Sequence, residues 1–206
     1  IVCGRCVRVC EEIRGDNALT FTERAGKTLI GTSHGTSLLE SGCEMCGACI
    51  DICPTGALVE RAYKWDKAVK QVRTTCGLCP VGCQMSLEID KRGRLIRASG
   101  ELDGAANRGQ LCYKGKFGLD FVNKKDRLRK PRIRTNNTHQ ESTWNESVDL
   151  VANRLKEYTD GTFAILASPR GTNEDNYTAQ KFARTVMGTN NVDLSSNTSP
   201  ELFSAL

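Results

Sequence analysis

The sequence is poor in the features that mark several common classes of protein. Its 206 residues hold no run approaching the ~18 consecutive apolar residues of a membrane-spanning helix. Aromatic residues make up only 6% of the chain, which leaves few side chains to stack on nucleic-acid bases. The apolar fraction of 39% and the mean hydropathy of −0.40 are those of an ordinary globular protein rather than a disordered or membrane protein.

Cysteine, in contrast, is abundant and unevenly placed, because all eleven cysteines lie between Cys3 and Cys112. An odd number excludes complete internal disulfide pairing. The cysteines form three groups with short internal gaps, namely Cys3, Cys6 and Cys10; Cys43, Cys46, Cys49 and Cys53, followed by Pro54; and Cys76, Cys79 and Cys83, with the distant Cys112.

The second group matches the ferredoxin run C-x2-C-x2-C-x3-C-P in full. In proteins with two clusters of this kind, the first three cysteines of a run hold one 4Fe-4S cluster and the fourth binds the other. The first group is the same run without its first member. Since the chain begins at Ile1 rather than Met, we expect its true start to lie upstream.

The crossed arrangement predicts the ligands of two clusters. One cluster receives Cys43, Cys46, Cys49 and Cys10, and the other receives Cys3, Cys6, Cys53 and the missing cysteine. If Cys3, Cys6 and Cys53 were its whole ligand set, the second of these sites would hold a three-iron cluster instead.

Other kinds of site also use closely spaced cysteines. Structural zinc sites use two C-x2-C pairs rather than triplets. A disulfide framework fails on the odd count, and free buried cysteines do not reach eleven within the first 112 residues. The grouping therefore favours ferredoxin-type clusters.

The third group has its fourth member far along the chain. Between Cys83 and Cys112 the sequence predicts a β-hairpin, with apolar residues alternating at Met85, Leu87 and Ile89, a turn at residues 91–93, and a return strand through Leu95 and Ile96. The hairpin would return the chain so that Cys112 completes the site. Every cysteine then has a ligand role, and the absent one would make three clusters of four ligands.

With these motifs the sequence resembles the molybdopterin oxidoreductase superfamily. The resemblance is to the formate dehydrogenase large subunit and the NADH dehydrogenase large iron–sulfur subunit. The stretches CGRCVRVCEE (residues 3–12) and ESGCEMCGAC (40–49) resemble the two-cluster ferredoxin domain. The stretches TTCGLCPVGC (74–83) and NRGQLCYKG (107–115) resemble the cluster-binding domain that opens the superfamily. Iron-only hydrogenases lack this second domain, so the pair favours the dehydrogenase branch.

The resemblance implies a role for one lysine. In that family a lysine two residues after the fourth cysteine lies between the cluster and a pterin cofactor, and this position is Lys114 here. Lys114 would then relay charge between the third cluster and a pterin. The alternative is a solvated lysine in a basic run.

A basic stretch follows the last cysteine. Nine lysines and arginines lie from Lys114 to Arg134, opposed by Asp120 and Asp126, in a chain with 29 basic and 24 acidic residues and a formal charge of +5. The stretch lacks interleaved aromatic residues beyond Phe117 and Phe121, which we interpret, with Leu119 and Val122, as the apolar face of a short helix. We expect an interdomain linker or a surface for an anionic partner rather than for nucleic acid.

The last third of the chain has an α/β pattern. Thr143 and Glu146 form a capping-box motif before a helix, and residues 162–167 predict a strand. A second helix extends to about Met187, and residues 191–194 predict another strand. This order is how a doubly wound domain begins.

The loop between the first of these strands and the second helix is a candidate phosphate site. Helix N-termini after strands often bind phosphate, and the resemblance implies that Ser168, Arg170 and Gly171 contact a pterin cofactor here. An ordinary turn is the alternative, because the loop lacks a full G-x-G-x-x-G.

The predicted fold class is α+β with an α/β end. Residues 1–66 form a two-cluster 4Fe-4S ferredoxin-like domain, N-terminally truncated, and residues 70–125 a small β-rich domain for the third 4Fe-4S cluster. Residues 126–143 form a basic and polar linker, and residues 144–206 begin a doubly wound pterin-type domain that we expect to be incomplete.

The residues at the expected catalytic position differ from those of catalytic formate dehydrogenases. The resemblance places the metal-ligating cysteine or selenocysteine of formate dehydrogenases near Ser199 and its histidine near Pro200. Proline cannot supply the imidazole that handles the proton. The two histidines, His34 and His139, lie in polar segments elsewhere and are expected at the surface.

These observations predict an electron-transfer subunit of a multi-subunit, NAD(P)-linked oxidoreductase with three 4Fe-4S clusters. The alternative is a catalytic formate dehydrogenase subunit carrying a molybdenum or tungsten bis(pterin guanine dinucleotide), and a third hypothesis is a zinc-stabilised basic binding module. The expected partners are flavin-bearing NADH-dehydrogenase-type and small iron–sulfur subunits, without nucleic acid or a membrane span. Thiol clusters suit the reducing cytoplasm.

Overall fold

A computed structural model of the chain describes residues 2–158 and 161–195. The chain divides into two compact units, a first unit of residues 1–76 and 83–123 and a second unit of residues 77–82 and 124–206. Within the described residues, no helix is both long and apolar enough to cross a membrane.

The first unit combines short helices with a three-stranded sheet. Its helices are α1 (Arg5–Arg8), a π-helix (Val9–Arg14), α2 (Ala48–Asp51) and α3 (Tyr113–Phe117), with 3-10 turns at Ser33–Gly35 and Asp120–Asn123. Its strands are β1 (Thr20–Thr22), β2 (Leu29–Gly31), β3 (Ala68–Thr75), β4 (Gln84–Asp90) and β5 (Leu95–Gly100). Strands β1 and β2 form one antiparallel pair, and β3, β4 and β5 form an antiparallel sheet in that order.

The predicted hairpin between the third cysteine group and Cys112 is confirmed as β4 and β5. Gly93 supplies a left-handed turn residue with φ of 76°. The buried carboxylate of Asp90 accepts N–H bonds from Arg92 at 2.8 Å and Arg94 at 2.9 Å, which holds the turn closed. Arg94 also bonds Asp66 at 3.0 Å, so the turn is tied to the segment before β3.

The core of the first unit lies beneath this sheet. Met85 and Ile96 are each 1% exposed and are the largest fully buried side chains among the described residues. The cysteines Cys6, Cys10, Cys46 and Cys76 are buried with them. Thiols thus occupy core positions that aliphatic side chains hold in most small domains.

One predicted element of this unit is wrong. The sequence predicted a single short helix with Phe117, Leu119, Phe121 and Val122 on its apolar face, but α3 ends at Phe117 and a separate 3-10 turn follows. The N–H of Gly118 makes the last helical bond, to Lys114, and the backbone leaves the helix there. Phe121 and Val122 are consequently 39% and 44% exposed.

The second unit contains a hairpin followed by a β-α-β motif. Its elements are β6 (Arg132–Thr135), β7 (Thr138–Glu141), α4 (Trp144–Leu155), β8 (Ile165–Ala167), α5 (Asn173–Thr185) and β9 (Val192–Leu194). Strands β6 and β7 pair antiparallel inside the segment predicted as a linker. Strands β8 and β9 pair in parallel across α5, as the predicted order of elements requires.

The predicted start of the first long helix is confirmed. The Thr143 hydroxyl accepts the N–H of Glu146 at 3.3 Å, and the Glu146 carboxylate accepts the N–H of Thr143 at 2.9 Å. A second capping box, between Thr172 and Asp175, begins α5 and was not predicted.

We expect Met85→Ala to lower the free energy of unfolding by about 2–5 kcal/mol, because it leaves a cavity in a fully packed position. Chemical denaturation of the anaerobically purified protein measures the change. The control is Val69→Ala on β3, where the side chain is 67% exposed and a change within about 0.5 kcal/mol is expected. Equal losses in both variants would contradict the assigned core.

Candidate metal centres

The two ferredoxin-type turns are built in the same way. Gly4 and Gly47 stand at φ of 70° and 75°, and each begins a four-residue helix that carries the next cysteine. This left-handed backbone is accessible to glycine at little cost, and it lets the chain reverse between Cys3 and Cys6 and between Cys46 and Cys49. Helices α1 and α2 pack against each other.

The thiols of the second group lie close together. Burial raises the pKa of the Cys49 thiol to about 11, and the neighbouring thiols of Cys46, Cys43 and Cys6 contribute to the rise. Thiols that raise one another's pKa in this way repel one another as thiolates, so a bound cation is needed to hold them ionised.

A second set forms around Cys6. Burial raises the pKa of the Cys6 thiol, and the thiols of Cys3 and Cys53 add to the rise. Cys53 therefore lies close enough to Cys6 to affect its pKa, although 46 residues of chain separate them. Cys10 is buried on the π-helix, which contacts α2.

Backbone N–H groups donate hydrogen bonds to two of these sulfurs, those of Cys53 and Cys43. The N–H groups of Leu58 and Thr55 lower the pKa of Cys53 to about 7, with the Thr55 hydroxyl contributing at 3.7 Å from the sulfur. The N–H of Met45 bonds the Cys43 sulfur at 3.4 Å. Sulfur ligands with N–H donors around them fit an iron–sulfur cluster, where such bonds stabilise the thiolate and tune the metal.

The third group frames the loop that joins β3 to β4. Cys76 follows β3, Cys83 precedes β4, and the N–H of Cys76 bonds the carbonyl of Cys83 at 2.8 Å. Cys112 begins α3, and a side chain added at Gly115 on that helix would lie 3.8 Å from the Cys76 sulfur. Cys79 belongs to the 77–82 loop, which groups with the second unit.

Asn107 fixes the approach to Cys112, a role that the sequence did not predict. Its side-chain oxygen accepts the N–H of Gln84 at 2.8 Å, and its side-chain NH2 donates to the carbonyls of Gln84 at 3.0 Å and Gln110 at 2.8 Å. Gln84 follows Cys83 and Gln110 lies two residues before Cys112, so one amide ties both cysteine-bearing segments together. The NRGQLC stretch marked this region, but a side-chain bridge has no periodic signal.

Two lysines on α3 differ sharply. Lys114, the predicted relay residue, is exposed, whereas Lys116 is only 4% exposed. The Lys116 ammonium donates to Asp51 on α2 at 2.5 Å and to the carbonyl of Ala98 on β5 at 2.6 Å. Burial raises the pKa of the Asp51 carboxyl, and the nearby ammonium of Lys116 opposes that rise.

All eleven cysteines lie within residues 2–158, and the structure joins none of them by a disulfide. Among the described residues, no group of three or more His, Cys, Asp or Glu side chains is placed to hold a single metal ion. Each thiolate of a 4Fe-4S cluster binds a different iron, so its ligands need not converge on one ion.

The residues of the candidate phosphate loop in the second unit hydrogen-bond to one another. The Ser168 hydroxyl accepts the N–H of Arg170 at 3.2 Å, and the Ser168 carbonyl accepts the N–H of Gly171 at 3.0 Å. Glu174 and Asp175 lie in the first turn of α5, where negative side chains already complement the helix dipole. Ser199 and Pro200 lie outside the described residues, and His34 and His139 are exposed as expected.

Comparison with known proteins gives matches to both halves of the first unit. Residues 1–59 match the family described as NADH-quinone oxidoreductase subunit 3, ferredoxin-like domain, and residues 69–124 match the molybdopterin oxidoreductase Fe4S4 domain. Both descriptions agree with the resemblance drawn from the cysteine motifs.

Curated relatives align over most of the chain. An NADH-quinone oxidoreductase subunit of Rhizobium meliloti is 38% identical over 98% of this chain, which covers 24% of that protein. NADPH-Fe(3+) oxidoreductase subunit alpha of Geobacter sulfurreducens is 37% identical over 94% of the chain and 23% of its own length. F420-dependent formate dehydrogenase 2 subunit alpha of Methanococcus maripaludis is 43% identical over 60% of the chain and 18% of its length. The chain thus spans about a quarter of the first two relatives.

We expect Asn107→Leu to lower the free energy of unfolding by about 1–3 kcal/mol, because it leaves the N–H of Gln84 and the carbonyl of Gln110 without their partner. Denaturation under anaerobic conditions measures the loss. Asn145→Ala, at an exposed position of α4, is the matched control and should change stability by no more than about 0.5 kcal/mol. A neutral Asn107 variant would show that the bridge does not hold the segment.

Proposed function

We propose that this chain relays electrons through three 4Fe-4S clusters in a multi-subunit, NAD(P)-linked oxidoreductase. Its residues 1–59 and 69–124 match iron–sulfur domains of NADH-quinone oxidoreductases and molybdopterin oxidoreductases. The observation that carries the proposal is the gathering of thiols from distant parts of the chain into two neighbouring sets, around Cys6 and around Cys49.

Each cysteine has a proposed ligand role. The first cluster takes Cys3, Cys6 and Cys53, with a fourth ligand from outside this sequence; the second takes Cys43, Cys46, Cys49 and Cys10; the third takes Cys76, Cys79, Cys83 and Cys112. Iron–sulfur clusters supply one-electron redox chemistry when bound.

The protein's own groups adjust that chemistry. N–H donors to the sulfurs of Cys43 and Cys53 stabilise negative charge on the ligands. The burial of Cys6, Cys10 and Cys46 excludes water from part of the sites. Hydrogen bonding to sulfur and solvent exposure are two of the means by which proteins set cluster potentials.

The partners follow from the relatives. The Rhizobium meliloti and Geobacter sulfurreducens proteins both carry names of oxidoreductase subunits, which supports a larger complex for this chain. We infer that a flavin-bearing nicotinamide-oxidising subunit and small iron–sulfur subunits exchange electrons with it, in the reducing cytoplasm where thiol ligands persist.

A second candidate is a catalytic subunit with a molybdenum or tungsten pterin. The similarity to a formate dehydrogenase alpha subunit favours it, and Lys114 would lie on the path to the pterin. The acidic first turn of α5 does not suit an anionic cofactor at Ser168, Arg170 and Gly171, because Glu174 and Asp175 would repel its phosphates.

We expect the anaerobically purified complex to contain about four iron and four acid-labile sulfide per site. Cys46→Ser and Cys83→Ser should each remove about a third of the iron assigned to this chain, because each destroys a different site. Elemental analysis and sulfide assay measure the content, with Asn145→Ala, at an exposed position of α4 in the second unit, as a control that retains all of it. Zinc without sulfide would exclude the relay and favour a zinc-stabilised module.

The two candidate functions differ in metal and activity. The relay predicts no molybdenum or tungsten at this chain and no formate-dependent dye reduction, since no cysteine or histidine stands at Ser199 and Pro200. Elemental analysis and an anaerobic dye assay test this. Stoichiometric molybdenum or tungsten with formate-dependent reduction would establish the catalytic alternative.

A further inference from the structure

Lys116 is a buried charge that no ligand assignment uses. Among the described residues it is the one buried lysine, and no arginine there is buried. Burying an ammonium group is costly unless it is paired and hydrogen-bonded. Here it is both, through Asp51 and the carbonyl of Ala98.

The contacts of Lys116 hold two cysteine-bearing segments together. Its ammonium bonds the Asp51 carboxylate at 2.5 Å, and Asp51 lies on α2 between Cys49 and Cys53. Its stem packs on the loop before the same helix, since a side chain added at Gly47 would lie 2.7 Å from its Cγ. Lys116 itself stands on α3, one turn after Cys112, and also bonds β5 through Ala98.

The charge of the pair is unequally screened. The Lys116 side chain is 2% exposed and the Asp51 side chain is 33% exposed, and both line a cavity of about 560 Å3. Glu88, on the same cavity, is paired with Arg97 at 2.7 Å, and the Glu60 carboxylate also faces it. Water screens exposed charges more than buried ones, so the partly exposed Asp51 carboxylate offsets the charge of the buried ammonium only in part.

We propose that Lys116 is a positioning residue for electron transfer, which fastens the Cys46–Cys49 segment to the sheet and α3 and holds a buried positive charge between the second and third cysteine groups. This inference rests on the proposed relay. A positive charge there favours the reduced state and raises the reduction potential of the neighbouring clusters. In the transfer itself one electron passes, one centre is oxidised as the next is reduced, and no bond forms or breaks.

The test is a potentiometric titration of the anaerobically purified complex, followed by electron paramagnetic resonance. Lys116→Met keeps most of the stem and removes the charge, so the potential of at least one cluster should shift to a more negative value. Lys70→Met removes the same charge at an exposed position of β3 and should leave every potential unchanged. Equal shifts in both variants, or none in Lys116→Met, would overturn the proposal.

A second pair of variants covers the case in which Lys116→Met does not fold. Asp51→Asn leaves the ammonium without its counter-charge and should shift the same potential to a more positive value, opposite in sign to Lys116→Met. Lys116→Arg keeps the charge and should restore a potential close to that of the unmodified protein. An unshifted or lowered potential in Asp51→Asn contradicts the charge argument.

Failure of the relay and failure of the role of Lys116 give different results. If the unmodified complex holds no iron or sulfide, the proposed function fails and no potential exists to shift. If it holds three reducible clusters whose potentials ignore Lys116 and Asp51, the relay stands and the role of Lys116 is wrong.

Discussion

The burial of closely spaced thiols is the constraint on which the first unit depends. Burial and three nearby thiols raise the pKa of Cys49 to about 11, so at neutral pH this thiol keeps its proton until a cation replaces it. Bound iron would supply that charge, and its binding would then be coupled to the release of protons. Cys53 is the exception, because N–H groups already favour its thiolate at a pKa of about 7. The same buried cysteines thus form part of the core and set the charge that a bound cluster must balance.

The structure also shows how two domain types act as one compact unit. Residues 1–59 and 69–124 match different families, yet both fall largely within the first unit. Polar contacts connect them: Lys116 bonds Asp51 directly. Tyr63 and Asp66, in the segment between the two matched ranges, bond Asp120 at 2.9 Å and Arg94 at 3.0 Å. Directional bonds of this kind fix the separation between parts more closely than apolar contact does. Electron transfer depends steeply on distance, so a rigid joint serves a relay.

Local patterns in the sequence predicted local structure well. The alternation at Met85 predicted the β4–β5 hairpin, and Thr143 predicted the start of α4, because each signal lies within a few residues of the element it specifies. The crossed cysteine arrangement, which assigns Cys53 to the site of Cys3 and Cys6, stays a prediction. Lys116 and Asn107 were not predicted, since their partners lie 65 and 23 residues away and no period connects them. The sequence grouped Lys116 with the basic stretch from Lys114 to Arg134, expected to be a linker or a surface for an anionic partner, whereas the packing of α3 shows that it is buried.

The two copies of the glycine turn differ in what surrounds them. At Gly4 an added side chain would meet the ring of Phe21, which is 46% exposed and can rotate into solvent. At Gly47 it would meet the stem of Lys116, which is held at its far end by an ion pair and a carbonyl. Both positions carry the same backbone strain, but only the second also couples to a buried charge. The two glycine turns therefore differ in the substitutions they tolerate. The turn at Gly47 accepts a narrower range of sequences than the turn at Gly4.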